Sequence, residues 1–344
     1  VKILFLGETY RADAQTWIQG IERESGLRIQ TKEIAKTGGR LARIFAALSF
    51  LFELAFNSEK YDITLAERAT SYGFLSLLVK TKVRIVAQQG ITDAFPENGF
   101  AGWYKRKLQR AIYTRADLIH AWGYVMTYAM LGSGASPVKI LVKPKGLDLE
   151  KYKFFPPSSE RKFTAIVTRS LFPIYRHAEI LEAIHILKKK GILLDCIMVG
   201  SGQEEENLAQ KSRELGLEDQ VVWTGRIPNS ELPSYLAKAQ IYIAVPETEG
   251  VSASLFEAMA CGCFPIVTEL PANKAFIDQG NNGLLVPVGQ TDALATAIAE
   301  YLGNSEQYTD GIISNRIFIE QNCDLKTNMS SFYQTYLSLL KQRS

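Results

Sequence analysis

The stretch "PETEGVSASLFEAMACGCFPIV", residues 246–267, places two carboxylates, Glu249 and Glu257, around a Gly and two Ser, ahead of small and apolar residues. An apolar run, IYIAVPE (241–247), leads into it, and another, CFPIVT (263–268), closes it. Strand, loop, helix, strand is the unit from which parallel sheets are built. The pattern predicts a strand ending near Glu247 and a helix beginning around Ser252 or Ser254. Unpaired backbone N–H groups and a partial positive charge gather at a helix N-terminus. The small side chains of EGVSAS let a phosphate approach them closely. Glu249 precedes that helix and Glu257 lies about one turn inside it. Two carboxylates flanking an anion site can accept hydrogen bonds from sugar hydroxyls on either side of a diphosphate. The same spacing also fits a capped surface helix with Glu257 in an ion pair.

Outward from this stretch the alternation continues. Strand-like runs fall at 162–170, 193–202, 220–225, 241–247, 263–268 and 283–287, with helix-like segments between them. The first half alternates in the same way, with runs at 2–7, 61–67, 83–89, 116–122 and 139–148. Both halves therefore read as doubly wound α/β units. KFFPPSSE (153–160) is the linker candidate, with two Pro and two Ser between apolar segments. The expected division is a first domain over 1–157, a second over 158–320 and a C-terminal helix over 321–344. Two such domains facing each other would form a ligand cleft at the carboxyl ends of their strands.

A length of 344 residues, 47% hydrophobic and 22% charged, is ordinary for a globular chain of two domains. The net charge of +3 is too small to argue for nucleic acid, but it is unevenly spread. Residues 1–157 hold 23 Lys and Arg against 14 Asp and Glu, and the remainder holds 16 against 22. A basic first half suits an anionic surface or acceptor. The four Cys form no CxxC pair, which suits a reducing compartment. The sequence opens on a strand-like run and not on a signal peptide, so the expected location is cytoplasmic. Ile44 to Phe56, the most apolar helix-like run, is too short to span a bilayer.

The opening stretch, written P-x-x-E-G-x-x-x-x-x-x-E-A-M-A-x-G-x-x-P, resembles the signature of family 4 of the glycosyltransferases, retaining enzymes of the GT-B fold, here of the bacterial polysaccharide type. Nearly the whole chain carries the resemblance. IMVGSGQEEENL is similar to the family's glycine turn, and VVWTGRIPNSELPSYLAKAQIYIAVPE to the segment leading into the signature. LPANKAFIDQGNNGLLVP resembles the segment after it, and KPKGLDLEKY the end of the first domain. The resemblance implies that Glu257 binds the ribose hydroxyls and Glu249 the donor hexose. It implies that the Val251 and Ser252 N–H groups meet the diphosphate, that Gly225, Arg226 and Ile227 lie by the base, and that Arg169 holds the diphosphate as a cation. Stabilising the leaving nucleoside diphosphate is then the main catalytic task.

The sequence departs from that pattern twice. The family usually places a Lys shortly after the Arg, whereas TRSLFPIYRHAEI has none, and Arg176 is the favoured substitute. The family also often has a His after a first-domain strand, where this chain has Gln89. Gln can hold a sugar hydroxyl but cannot take a proton, which fits a leaving phosphate that accepts the acceptor's proton itself. His120 reads as a satisfied strand-end residue. There is no zinc-type ligand cluster, no D-x-D and no GxGxxG, so neither metal nor cofactor is expected.

The expectation is a transferase moving a hexose, with UDP-glucose as the favoured donor, to a growing glycan or lipid-linked acceptor. Two alternatives stand beside it: a non-catalytic GT-B subunit assisting an active transferase, and a UDP-sugar epimerase. No nucleic-acid partner is expected. RLARIFAALSFLFELAF (40–56) and WYKRKLQRAIYTR (103–115) read either as a core helix and a solvated basic helix, or as a pair that docks peripherally on the inner face of a membrane.

Overall fold

The computed structural model describes residues 1–88, 99–156 and 163–343. The chain divides into two compact units, Val1–Gly146 with Leu325–Ser344, and Leu147–Asp324.

The first unit is built on six parallel strands: β1 (Ile3–Leu6), β2 (Gln30–Lys32), β3 (Lys60–Glu67), β4 (Lys80–Ala87), β5 (Leu118–Ala121) and β6 (Ile140–Val142), in the order β2-β1-β3-β4-β5-β6. The apolar runs of the four central strands, β1, β3, β4 and β5, are buried because crossover helices cover both faces of the sheet. Right-handed crossovers and this strand order put the Ala12–Ser25 helix on one face. The helices Arg40–Phe56, Gly73–Ser76, Phe100–Arg115 and Val125–Gly132 fall on the other. The C-terminal helix, Leu325–Gln342, packs on the Ala12–Ser25 side. Trp17 Nε1 donates to Tyr336 Oη at 3.1 Å, and His120 Nε2 lies 2.6 Å from the same hydroxyl. Gly20 leaves room there for Met329, since a Cβ would sit 2.5 Å from Met329 Cγ.

The second unit repeats the plan. Its strands are β7 (Thr164–Thr168), β8 (Asp195–Val199), β9 (Val221–Gly225), β10 (Ile241–Ala244), β11 (Phe264–Thr268) and β12 (Leu284–Val286), all parallel, in the order β12-β11-β10-β7-β8-β9. All six strands expected in this half are present. In the first half the sequence missed β2.

The domain boundaries need correction. The units part at Gly146–Leu147, not after 157. Leu147 N donates to Cys323 O at 2.7 Å, and Phe155 N donates to Cys261 O at 3.1 Å. Leu147 and Tyr152 lie in the second unit's core. The first part of the supposed linker is thus packed chain, and its residues 157–160 fall outside those described. The C-terminal segment of the first unit starts at Leu325, because the preceding helix, Thr309–Asn322, belongs to the second unit.

Candidate functional site

The order of the second sheet reverses at β7, which lies between β10 and β8. Open α/β sheets bind ligands beyond the carboxyl ends of their strands at such a switch point. β7 delivers Arg169 there. β10 delivers the loop carrying Glu247 and Glu249, which runs into the helix Ala253–Cys261. Ser252 caps that helix, its Oγ accepting from Leu255 N at 3.2 Å. The helix ends at Gly262, whose φ of 89° and close approach to the Phe155 carbonyl exclude a side chain.

Arg169 and Glu249 form an ion pair, and Arg169 Nη2 also donates to Ser252 Oγ at 2.5 Å. Both side chains are largely buried, 13% and 12% exposed. The Tyr175 ring lies 5.3 Å from the guanidinium carbon. Burial works against the charge of Arg169, but Tyr242, Glu249 and Tyr175 outweigh it and hold its pKa above the ordinary value. Arg169 Nε is buried without a partner. A fixed cation, a capped helix N-terminus and the backbone of Val251 and Ser252 thus converge at one place.

Glu257 sits inside the same helix. Tyr152 Oη donates to its Oε1 at 2.9 Å. Burial raises the Glu257 pKa to about 7, against the lowering effects of Tyr152 and Arg169. Tyr152 is positioned by Arg316, whose Nη1 donates to the carbonyls of Tyr152 and Ala260 at 2.7 and 2.8 Å. Tyr152 stands at the end of KPKGLDLEKY, but no spacing in the sequence ties it to Glu257 or Arg316 to it, and only the fold brings these residues together.

Arg176 adopts a left-handed conformation, φ 54°, at the start of the helix His177–Lys189. It pairs with Glu179 and donates to Glu247 Oε1 at 2.6 Å, which ties it to the loop that carries Glu249. His177 is fully buried, and neither ring nitrogen has a protein partner. Burial, and secondarily Arg169, push its pKa down to about 4, so it is neutral and supplies no cation. The glycine turn after β8 packs on the Arg169 segment. A Cβ on Gly200 would lie 2.3 Å from the Arg169 carbonyl oxygen, and one on Gly202 2.3 Å from that of Leu171. Gly225 closes β9 with φ 65°, and its carbonyl accepts from Gly200 N at 3.0 Å. Arg226 is exposed beside it, and Ile227 is partly buried against the core. The last expected site residue, Gln89, lies outside the described residues.

The first unit holds a polar cluster that the sequence did not announce. Lys145 Nζ donates to Asp13 O at 2.9 Å and lies 4.7 Å from the Trp122 ring centroid. Burial lowers its pKa to about 8, with Asp13 and Glu67 opposing. Glu67 ends β3 fully buried. It accepts from Glu8 N at 3.1 Å, while its Oε1 has no partner. Arg68 follows in a left-handed conformation and donates to Glu8 Oε2 at 2.8 Å. Among the described residues no group of three or more His, Cys, Asp or Glu is placed to hold a metal ion. All four Cys are free and buried.

Residues 148–316 match the family described as glycosyl transferases group 1. The amylovoran biosynthesis glycosyltransferase AmsK of Erwinia amylovora is 23% identical over 216 residues, 61% of this chain and 53% of that one. The GDP-mannose-dependent alpha-(1-6)-phosphatidylinositol monomannoside mannosyltransferase of Mycolicibacterium smegmatis is 23% identical over 201 residues, 54% of this chain and 52% of that one. The chain thus spans about half the length of these relatives. Among solved structures, Anabaena HepE in complex with UDP-glucose superposes over 98% of this chain and 99% of that one. Its TM-score is 0.78 at 17% identity. Sucrose-phosphate synthase from Thermosynechococcus elongatus also gives 0.78, at 14% identity, over 99% of this chain and 100% of that one. The fold is GT-B, and the match to the group 1 family spans residues 148–316, just under half of the chain.

Proposed function

We propose that this chain is a retaining glycosyltransferase that moves a hexose from a UDP-sugar to a growing glycan or lipid-linked saccharide in polysaccharide biosynthesis, with UDP-glucose the first donor to test. The observation that carries this reading is Arg169, held by Glu249 and Ser252 at the N-terminus of the Ala253–Cys261 helix. Arg169 and the N–H groups at that helix start would receive the diphosphate. Charge growing on the leaving diphosphate is stabilised by a cation and oriented dipoles already in place. Glu257 would accept the ribose hydroxyls. Glu249 would leave part of its pairing with Arg169 to the diphosphate and turn its free oxygen to the hexose. Arg176 would add a second cation at the edge of the site, and Gly225, Arg226 and Ile227 would line the base.

In this reading the leaving phosphate takes the acceptor's proton on the same face, so neither metal nor cofactor is required. Turnover should survive EDTA; complete loss with recovery by manganese would refute that part. The reading places the protein in the cytoplasm, at the inner face of the membrane. The relatives are named for different donors, GDP-mannose for one and UDP-N-acetylglucosamine for another, so the sugar is chosen by experiment.

A second reading, a non-catalytic subunit, draws on the same pairing. Arg169 is neutralised by Glu249, and Arg176 by Glu179 and Glu247, with no Lys nearby in 168–180. One incubation with UDP-sugars and water separates the readings. Released UDP marks the transferase, an epimerised sugar an isomerase, and an unchanged donor the subunit.

A further inference from the structure

The helix Arg40–Phe56 has two apolar faces. At about 100° per residue, Phe50 and Leu54 share the side turned to the core, where they are 5% and 0% exposed. Leu41, Ile44, Phe45, Leu48, Phe52 and Phe56 fall within an arc of about 120° on the opposite side. All six are exposed, Phe45 to 70% and Phe56 to 81%. A stripe of large apolar side chains running the whole length of a surface helix marks an interaction site, unlike apolar residues scattered singly.

The chemistry beside the stripe identifies its partner. By the crossover rule the helices Phe100–Arg115 and Val125–Gly132 lie on the same face of the sheet as this one. Tyr72 of the segment Arg68–Tyr72 meets Phe50 at 6.3 Å between ring centroids, and Phe100–Arg115 packs on that same segment. The Phe100–Arg115 helix carries Lys105, Arg106, Lys107, Arg110 and Arg115, all exposed, and no acidic residue. Trp103, Arg106, Lys107, Arg110 and Ser133 line a surface groove of about 720 Å³. The one acid of the Arg40–Phe56 helix, Glu53, is paired with Lys32 at 2.5 Å. Among the described residues no helix is long and apolar enough to cross a membrane.

From this we infer that this face of the first unit docks on an anionic lipid bilayer. The Leu41–Phe56 stripe enters the headgroup boundary, and lipid phosphates occupy the groove formed by Arg106, Lys107 and Arg110. An amphipathic helix lying in the interface gains from buried apolar area, and each nearby cation adds attraction to anionic lipid. Phe100, Trp103 and Tyr104, exposed at the start of the basic helix, suit the interfacial layer. The inference is independent of the donor site and gives the peripheral location proposed above a physical basis.

The test is flotation of the whole chain with vesicles of phosphatidylcholine alone or with added phosphatidylglycerol. The expected result is binding to the anionic vesicles only, weakened by salt. The variant Arg106→Glu, Lys107→Glu, Arg110→Glu should reduce that binding on the order of a hundredfold. Phe45→Ser with Phe52→Ser should reduce it on the order of tenfold. Both variants change exposed residues, and their melting curves and UDP affinity should match those of the parent. Equal binding to both vesicle types, or to neither, would overturn the inference. So would light scattering showing a dimer that Phe45→Ser with Phe52→Ser converts to monomer without any vesicle binding, which would make the stripe a contact between copies.

Discussion

Arg169 donates from a single nitrogen, Nη2, to both the Glu249 carboxylate and the Ser252 hydroxyl. The residue assigned to the diphosphate and the residue assigned to the hexose therefore hold each other. Removing either changes the other, and in opposite senses.

Glu249→Ala should release the guanidinium toward the diphosphate. UDP affinity should stay level or rise, by up to about tenfold, while turnover of the UDP-sugar is lost. Calorimetry with UDP and an assay of released UDP measure the two separately. Full transferase activity in this variant would remove Glu249 from the mechanism.

With Glu257 on the ribose as proposed, its pKa of about 7 should make nucleotide binding pH-dependent near neutrality. In the proposed role the ionised carboxylate would accept both ribose hydroxyls, so UDP affinity should rise as pH increases through about 7 and level off above it. Tyr152→Phe removes a hydrogen bond that lowers this pKa. Its affinity profile should therefore shift to higher pH, with weaker binding at neutral pH. A UDP affinity independent of pH between about 6 and 8 in the parent would show that Glu257 does not touch the nucleotide.

His177 and His120 are buried with pKa values of about 4 and about 3, below the ordinary 6.5. In both, burial is the largest cause. A depressed His pKa means that the unfolded chain binds the proton more readily. The stability contributed is complete above about pH 6.5 and is lost as pH falls through the window down to the folded value, on the order of 3 kcal/mol per residue. Melting temperature should fall from about pH 7 to about pH 5, and His177→Leu should flatten that slope. A flat profile in the parent would contradict the buried neutral imidazole.

Gly200→Ala should lower stability and UDP affinity together. The new Cβ meets the Arg169 carbonyl at 2.3 Å, and φ at this position is 144°. Backbone strain of this kind costs on the order of 1–3 kcal/mol, and the relief available is to move the Arg169 segment. Unchanged UDP affinity in a destabilised variant would show that the glycine turn does not set the position of Arg169.

How much of this the sequence disclosed depended on how local the signal was. The second sheet was legible because each of its strands is an apolar run with a helix after it. The Ser252 start of the signature helix followed from small polar residues ahead of LFEAMA. The strand β2 was missed because Gln30–Lys32 is a polar, three-residue edge strand with no buried member. The boundary at Gly146 was missed because the Pro- and Ser-rich 153–160 looks like a linker, whereas Leu147 and Phe155 are held by Cys323 and Cys261, far along the chain. Tyr152 on Glu257 and Lys145 on Asp13 are contacts over long sequence separations, and no spacing rule encodes them. The helix Arg40–Phe56 was visible as a strongly apolar run, but only burial showed which face the core uses and which stripe stays exposed.

The central claim is that the switch point of the second unit holds a nucleoside diphosphate between Arg169 and Glu257. Calorimetric titration of UDP into the parent, Arg169→Ala and Glu257→Ala tests it most directly, with melting curves to show that each variant is folded. The account expects binding by the parent and a loss of about tenfold to a hundredfold in each variant, the value of a hydrogen bond to a charged group. No UDP binding by the parent, or equal affinity in all three folded proteins, would contradict it.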